Sequence, residues 1–222
     1  MTKLDYTLSP GWAVALAIIL ACILAFKVPA GQQASLKTAS LESHEGLTIS
    51  AQPWTDSAQY KEKFPKKSPF SAGVLAVQVA FRNDSPESLR INLERIRLTV
   101  QLDAENRQEV RPLTADQLAD AVFKPLAKDP TAKRQRLPIP VPSSNGSRDK
   151  HWTELQKQAQ EAGVPSSVVA AHGTVQGLLY FDLQNQFDLL QTAHLYVPEI
   201  VQMQRGRALT YFDIDLSRRG TQ

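Results

Sequence analysis

A two-residue period constrains this chain more than any other feature. Glu94 to Leu102 reads ERIRLTVQL, with Ile96, Leu98, Val100 and Leu102 on one side and Arg95, Arg97, Thr99 and Gln101 on the other. Successive side chains of a strand point to opposite faces, so this alternation predicts a strand with one buried and one wet face. Gly73 to Asn83 (GVLAVQVAFRN) repeats it through Leu75, Val77, Val79 and Phe81. Between the two, Asn83-Asp84-Ser85-Pro86 is strong turn chemistry, and Ser88 to Leu93 begins the return. Such lengths and turns predict antiparallel pairing.

Other segments carry the same signature. Gly46 to Gln52, Gly173 to Leu183 (GTVQGLLYFDL), His194 to Pro198 and Ala208 to Leu216 (ALTYFDIDL) all read as strands. In the last, Leu209, Tyr211, Asp213 and Asp215 oppose Thr210, Phe212, Ile214 and Leu216. Helices are few. Thr114 to Gln117 and Thr153 to Gln156 both fit the capping box S/T-x-x-E/Q. The first precedes Leu118, Ala119, Val122 and Phe123, and the second runs to Gly163. About six to eight strands without strand–helix–strand alternation predict a mainly β protein, an antiparallel sandwich with one or two short inserted helices.

The compartment is set by Trp12 to Phe26 (WAVALAIILACILAF), 15 residues without a charge. As a helix it rises roughly 22 Å, against about 30 Å of bilayer core. With Gly11, Val28 and Pro29 it barely spans, Lys27 snorkelling to the headgroups. Three readings stand. The run is an uncleaved signal anchor, inserting through Trp12, Leu16, Ile19, Leu20, Ile23 and Phe26. Alternatively it is a signal peptide cleaved after Val28-Pro29-Ala30. In the third, Ile19-Leu20-Ala21-Cys22 acts as a lipobox with Cys22 acylated, although Leu20 is large for its place and the apolar run continues past the cysteine. In each, everything after residue 30 is exported, on the periplasmic or cell-surface side.

The expected organisation is therefore an N-terminal apolar helix over residues 1–30, a small polar linker over 31–45, and a β domain over 46–217. A tail over 218–222 follows, and a basic, Pro- and Ser-rich excursion at 124–150 interrupts the domain. Cys22 is the only cysteine, so the exported part forms no internal disulfide and no thiolate metal site. Roughly 190 residues are enough for one domain with a substantial core. A net charge of +3 over 222 residues does not point to nucleic acid.

The strings GVLAVQVAFRNDSPESLRINLERIRLTV and GLLYFDLQ…LYVPE…LTYFDIDL resemble bacterial exported or membrane-anchored domains of uncharacterised role with an immunoglobulin-like β-sandwich. The resemblance covers roughly residues 46 to 216. It implies a fold and an exported setting, and no catalytic residues come with it.

Sites of chemistry are sparse. His44, His151, His172 and His194 make no pair at metal-ligand spacing. Asp213 and Asp215 share one strand face, where two carboxylates could bind a cation or share a proton, or simply be solvated. No nucleophile elbow and no phosphate loop is present. Two basic groups remain as a contact surface for anionic headgroups or an acidic partner: Lys61, Lys63, Lys66 and Lys67, and Lys133, Arg134 and Arg136. The expectation is a tethered, non-enzymatic domain without a cofactor, held to the membrane by its N-terminal segment. Its expected partner is a protein of the same membrane or envelope. The rivals are a metal-dependent hydrolase using Asp213, Asp215 and a histidine, and a small-ligand or lipid carrier with an apolar cavity.

Overall fold

The computed structural model describes residues 39–102, 106–123 and 145–217. They form a mainly β fold of antiparallel sheets with a few short helices. The first sheet has the order β1 (Ser40–His44), β2 (Leu47–Pro53), β3 (Val74–Asn83), β8 (Thr174–Asp182). A second has the order β11 (Phe212–Asp215), β9 (Ala193–Val197), β5 (Arg97–Gln101), β6 (Arg107–Val110). A third, smaller sheet joins β10 (Ile200–Gln202), β4 (Leu89–Ile91) and β7 (Val168–Val169).

The period-two pattern decides which side chains meet. Leu75, Val77, Val79 and Phe81 of β3 enter one core with Leu179 and Phe181 of β8, Leu98 and Val100 of β5, Leu195 of β9 and Ile214 of β11. Val74 and Ala76 point the other way. With Leu178 and Tyr180 they pack against Tyr60, Leu118, Val122, Leu155 and Ala159. Those residues come from α1 (Ser57–Lys63), α2 (Ala115–Phe123) and α3 (Asn145–Ala162). Both faces of the first sheet are thus covered at this end. The expected wet face of β3 is corrected there, because a layer of helices takes the place of water.

Local chemistry explains the elements. The α2 capping box forms as expected: the Thr114 amide donates to Gln117 Oε1 (2.9 Å) and the Gln117 amide to Thr114 Oγ1 (3.2 Å). The β1–β2 hairpin turns at Glu45 and Gly46, with φ of 49° and 80°. Two positive φ values are what a tight hairpin turn matched to strand twist requires.

Further expectations are corrected. The segment 31–45 is not linker throughout, since β1 begins at Ser40. Its one large apolar residue, Leu41, faces solvent at 65% exposure, so no buried stripe marks the strand. The excursion 124–150 ends early, because α3 starts at Asn145 and Thr153 lies inside the helix rather than capping it. After the Asn83 turn the chain does not return beside β3. It crosses to the third sheet, where β4 pairs with β7 and β10. Finally, Arg107–Val110 is a strand that the sequence pattern did not predict, since its residues RQEV carry no apolar alternation. The apolar run and Cys22, the segment 124–144 and the tail 218–222 lie outside the described residues. Among the described residues no helix is long and apolar enough to cross a membrane.

Candidate functional site

The helices gather on the first sheet, while the outer face of β11-β9-β5-β6 carries polar and aromatic side chains. Cross-strand register builds that face. Thr99 stands opposite His194, and His194 opposite Asp215. One row along, Arg97 stands opposite Tyr196, and Tyr196 opposite Asp213. Asp213 and Asp215 therefore share a face, as their spacing predicts, and His194 joins them from the neighbouring strand.

The contacts are specific. His194 Nδ1 lies 3.4 Å from Asp213 Oδ1, an ion-pair distance whose orientation makes no hydrogen bond. Arg107 donates to Thr99 Oγ1 at 2.8 Å, and that hydroxyl donates to the His194 carbonyl at 3.3 Å. Asp215 accepts from the Ser217 amide at 2.8 Å. Together with Gln101, Gln191 and Thr192, these residues line a cleft of about 440 Å³, within the size range of ligand sites. Beside it Tyr196 and Tyr211 lie with ring centroids 5.4 Å apart, and Tyr211 is 55% exposed.

Chemically, the cleft offers a guanidinium, an imidazole, hydroxyls and amides against two carboxylates. Such a set can hydrogen-bond a polar partner from several directions. The His194–Asp213 pair could also move a proton. Among the described residues no three His, Cys, Asp or Glu side chains are placed to hold a metal ion. His44 lies 3.6 Å from Glu42 and 3.9 Å from Glu45, and His151 lies 3.9 Å from Glu154.

The basic cluster on Lys61–Lys67 is divided. Lys66 binds Glu154 at 2.8 Å, Lys67 sits 4.2 Å over the Phe123 ring, and Lys63 lies 3.6 Å from Glu62. The Lys66 bond and charge, with a smaller contribution from His151, hold the Glu154 carboxyl below its ordinary range. Lys66 and Lys67 thus dock the loop after α1 onto α2 and α3, while Lys61 stays exposed on α1. Lys133, Arg134 and Arg136 lie outside the described residues. A separate cleft of about 270 Å³ is lined by Pro53, Phe70, Phe187, Leu190 and Leu216, with Asp188 at its side. Phe70 and Phe187 stack there, centroids 4.4 Å apart.

No protein-family model and no curated protein matches the chain. Among solved structures, the crystal structure of a functionally unknown protein from Listeria monocytogenes EGD-e is similar to it. The identity is 14%, the match covers 81% of this chain and 82% of that one, and the TM-score is 0.39. The reading of the face accordingly rests on this chain's own geometry.

Sequence reasoning missed Arg107, Thr99, Tyr196 and Tyr211 as members of one surface. One signal was available. Tyr211 and Asp213 fall on the same side of an alternating strand, and His194 and Tyr196 do so two residues apart. Pairing those two segments is what would have joined them.

Proposed function

We propose that this chain is a non-enzymatic, membrane-tethered domain with an immunoglobulin-like β-sandwich, working outside the cytoplasm. It binds a protein partner of the same membrane or envelope, as an accessory subunit of a larger complex. The binding surface is the outer face of β11-β9-β5-β6, and the observation that carries this reading is the pair of half-buried Tyr196 and exposed Tyr211 beside Arg97 and Asp213, with Arg107 further along the same face. Tyrosine and arginine are enriched where proteins bury surface, because they combine large contact area with a polar tip. The apolar run Trp12–Phe26 supports the tether.

The test is capture from native membranes with the full-length chain. A partner that co-purifies with the parent chain is expected to fall at least tenfold in recovery with Tyr211→Ala, while the melting temperature is unchanged. Equal recovery with Tyr211→Ala and with Tyr196→Ala overturns the assignment of the face.

A second reading keeps the 3.4 Å approach of His194 to Asp213 as a reactive pair, as the hydrolase rival needs. Stoichiometric metal in the purified protein, lost with Asp213→Ala, or a substrate turned over only when His194 is intact, favours that reading over binding alone. The cleft under Phe70 and Phe187 is where a small apolar ligand would enter in the carrier reading.

A further inference from the structure

We infer that the open edge of β6 joins a second copy of this chain, building one continuous antiparallel sheet across a two-fold axis at Gln108. β6 is the outermost strand of its sheet. The edges of two other strands are occupied. Pro112 and Gly163 bridge to β8 at Phe181 and Leu178. At β11, the Asp213 amide donates to Glu42 and the nearby Thr210 amide donates to Glu45. Among the described residues nothing of the kind covers Arg107–Val110.

Hydrogen-bond parity narrows the pairing. The Leu102 amide donates to the Asn106 carbonyl, so these two form a hydrogen-bonded pair. In an antiparallel ladder such pairs alternate with non-bonded ones. Val100 with Gln108 and Leu98 with Val110 are then the bonded pairs, and Thr99 with Glu109 and Gln101 with Arg107 the others. It follows that the backbone groups of Arg107 and Glu109 point to the open edge. A second β6 bonds to them only in registers that set these two residues against each other or against themselves. Arg107 opposite Arg107, or Glu109 opposite Glu109, places like charges together. With the axis at Gln108, each Arg107 faces the Glu109 of the second copy, and opposite charges directly across a ladder attract. A two-fold contact is self-complementary by construction, so one Arg–Glu spacing supplies both pairs.

Access supports the same pairing. Gln108 has the core-side parity of Val100, yet it is exposed. β6 therefore overhangs the sandwich and leaves both its faces clear for a neighbouring strand. Arg107 also lines the cleft at His194, which places the second copy's Glu109 at the rim of the cleft.

Two short strands bury less than a stable dimer needs, so the readout is capture rather than co-elution. The axis brings the two Gln108 Cα atoms to about 4.5 Å, the spacing of a non-bonded pair and within reach of a disulfide. The full chain is purified in detergent with Cys22→Ser and Gln108→Cys and oxidised with copper phenanthroline. A covalent dimer is the expected product. Adding Arg107→Glu slows its formation severalfold, and adding Glu109→Arg to that variant restores it. Leu41→Cys, on exposed β1, serves as the collisional control. Dimer formation no faster than in that control, or a charge exchange that does not restore the rate, overturns the proposal. Unchanged melting temperatures ensure that the comparison is made on folded protein.

Discussion

At the scale of single residues, Asn83 explains why the turn after β3 is so well defined. It is fully buried, and its amide donates to the carbonyls of Glu87 (2.7 Å) and Ala170 (3.0 Å). Its own carbonyl accepts from the Ser85 amide (3.0 Å) and hydroxyl (2.7 Å). One side chain thus stands in for the ladder partner that neither segment has where the chain leaves one sheet for another. Asn83→Ala removes a buried side chain's bonds to both partly buried carbonyls, which keep only the Ser85 hydroxyl and the Gly173 amide as donors. It is expected to cost about 2 kcal/mol, read from the urea midpoint. An Asn83→Asp variant that loses nothing refutes this account, since a carboxylate cannot donate to those carbonyls. The sequence showed Asn83-Asp84-Ser85-Pro86 as a turn because its residues are turn formers. It could not show that the turn changes sheets, because that depends on bonds to residues 86 and 87 positions away.

At the scale of elements, α1 is fastened to β3 by a hydroxyl. β2 ends at Pro53, and beyond it the Ala76 amide donates to Tyr60 Oη (2.8 Å), which donates in turn to the Trp54 carbonyl (3.0 Å). Burial pushes the ionisation of Tyr60 and of Tyr180 well above the ordinary tyrosine range, so both stay protonated donors. Tyr60→Phe keeps the ring contacts with Trp54 and Phe70 and orphans the Ala76 amide. The expected loss is about 2 kcal/mol in chemical denaturation, with near-native circular dichroism. No loss of stability means that water or a neighbour replaces the hydroxyl. Elements with buried stripes were legible: β3, β8 and β9 appear within one residue of their expected bounds, and β5 begins three residues later than expected because a 3-10 turn takes Leu93–Arg95. Those without them were not. β1 and β6 bury almost nothing hydrophobic, and among the described side chains of α3 only Leu155 and Ala159 are fully buried. The likeness of Asp213 and Asp215 in orientation was also legible, from spacing alone. Their nearness to His194 was not, because register between strands leaves no mark in either strand's own sequence.

At the scale of the whole molecule, carboxylates hold the two sheets along one seam. Glu45 accepts from the Thr210 amide (2.6 Å) and from Arg207 (2.8 Å), and Glu42 accepts from the Asp213 amide (2.7 Å). His44 stacks on Phe212 with centroids 3.7 Å apart. The Thr210 amide, and after it Arg207, hold the Glu45 carboxyl below its ordinary range, and Arg95 and Asn92 do the same for Glu199. A carboxyl whose folded value is depressed adds stability above its unfolded value, about 4.3. That stability is lost as pH falls through the folded value. The parent protein is therefore expected to lose melting temperature between neutral pH and about pH 3. Glu45→Gln should show a smaller difference over the same range, and an equal difference removes Glu45 from the acid response. The seam has one more consequence. It brings the first described strand against the last, so the polypeptide enters and leaves this domain at neighbouring points. A chain arranged in that way can be cut elsewhere and rejoined at its ends, or set whole into a surface loop of another protein, without parting its layers.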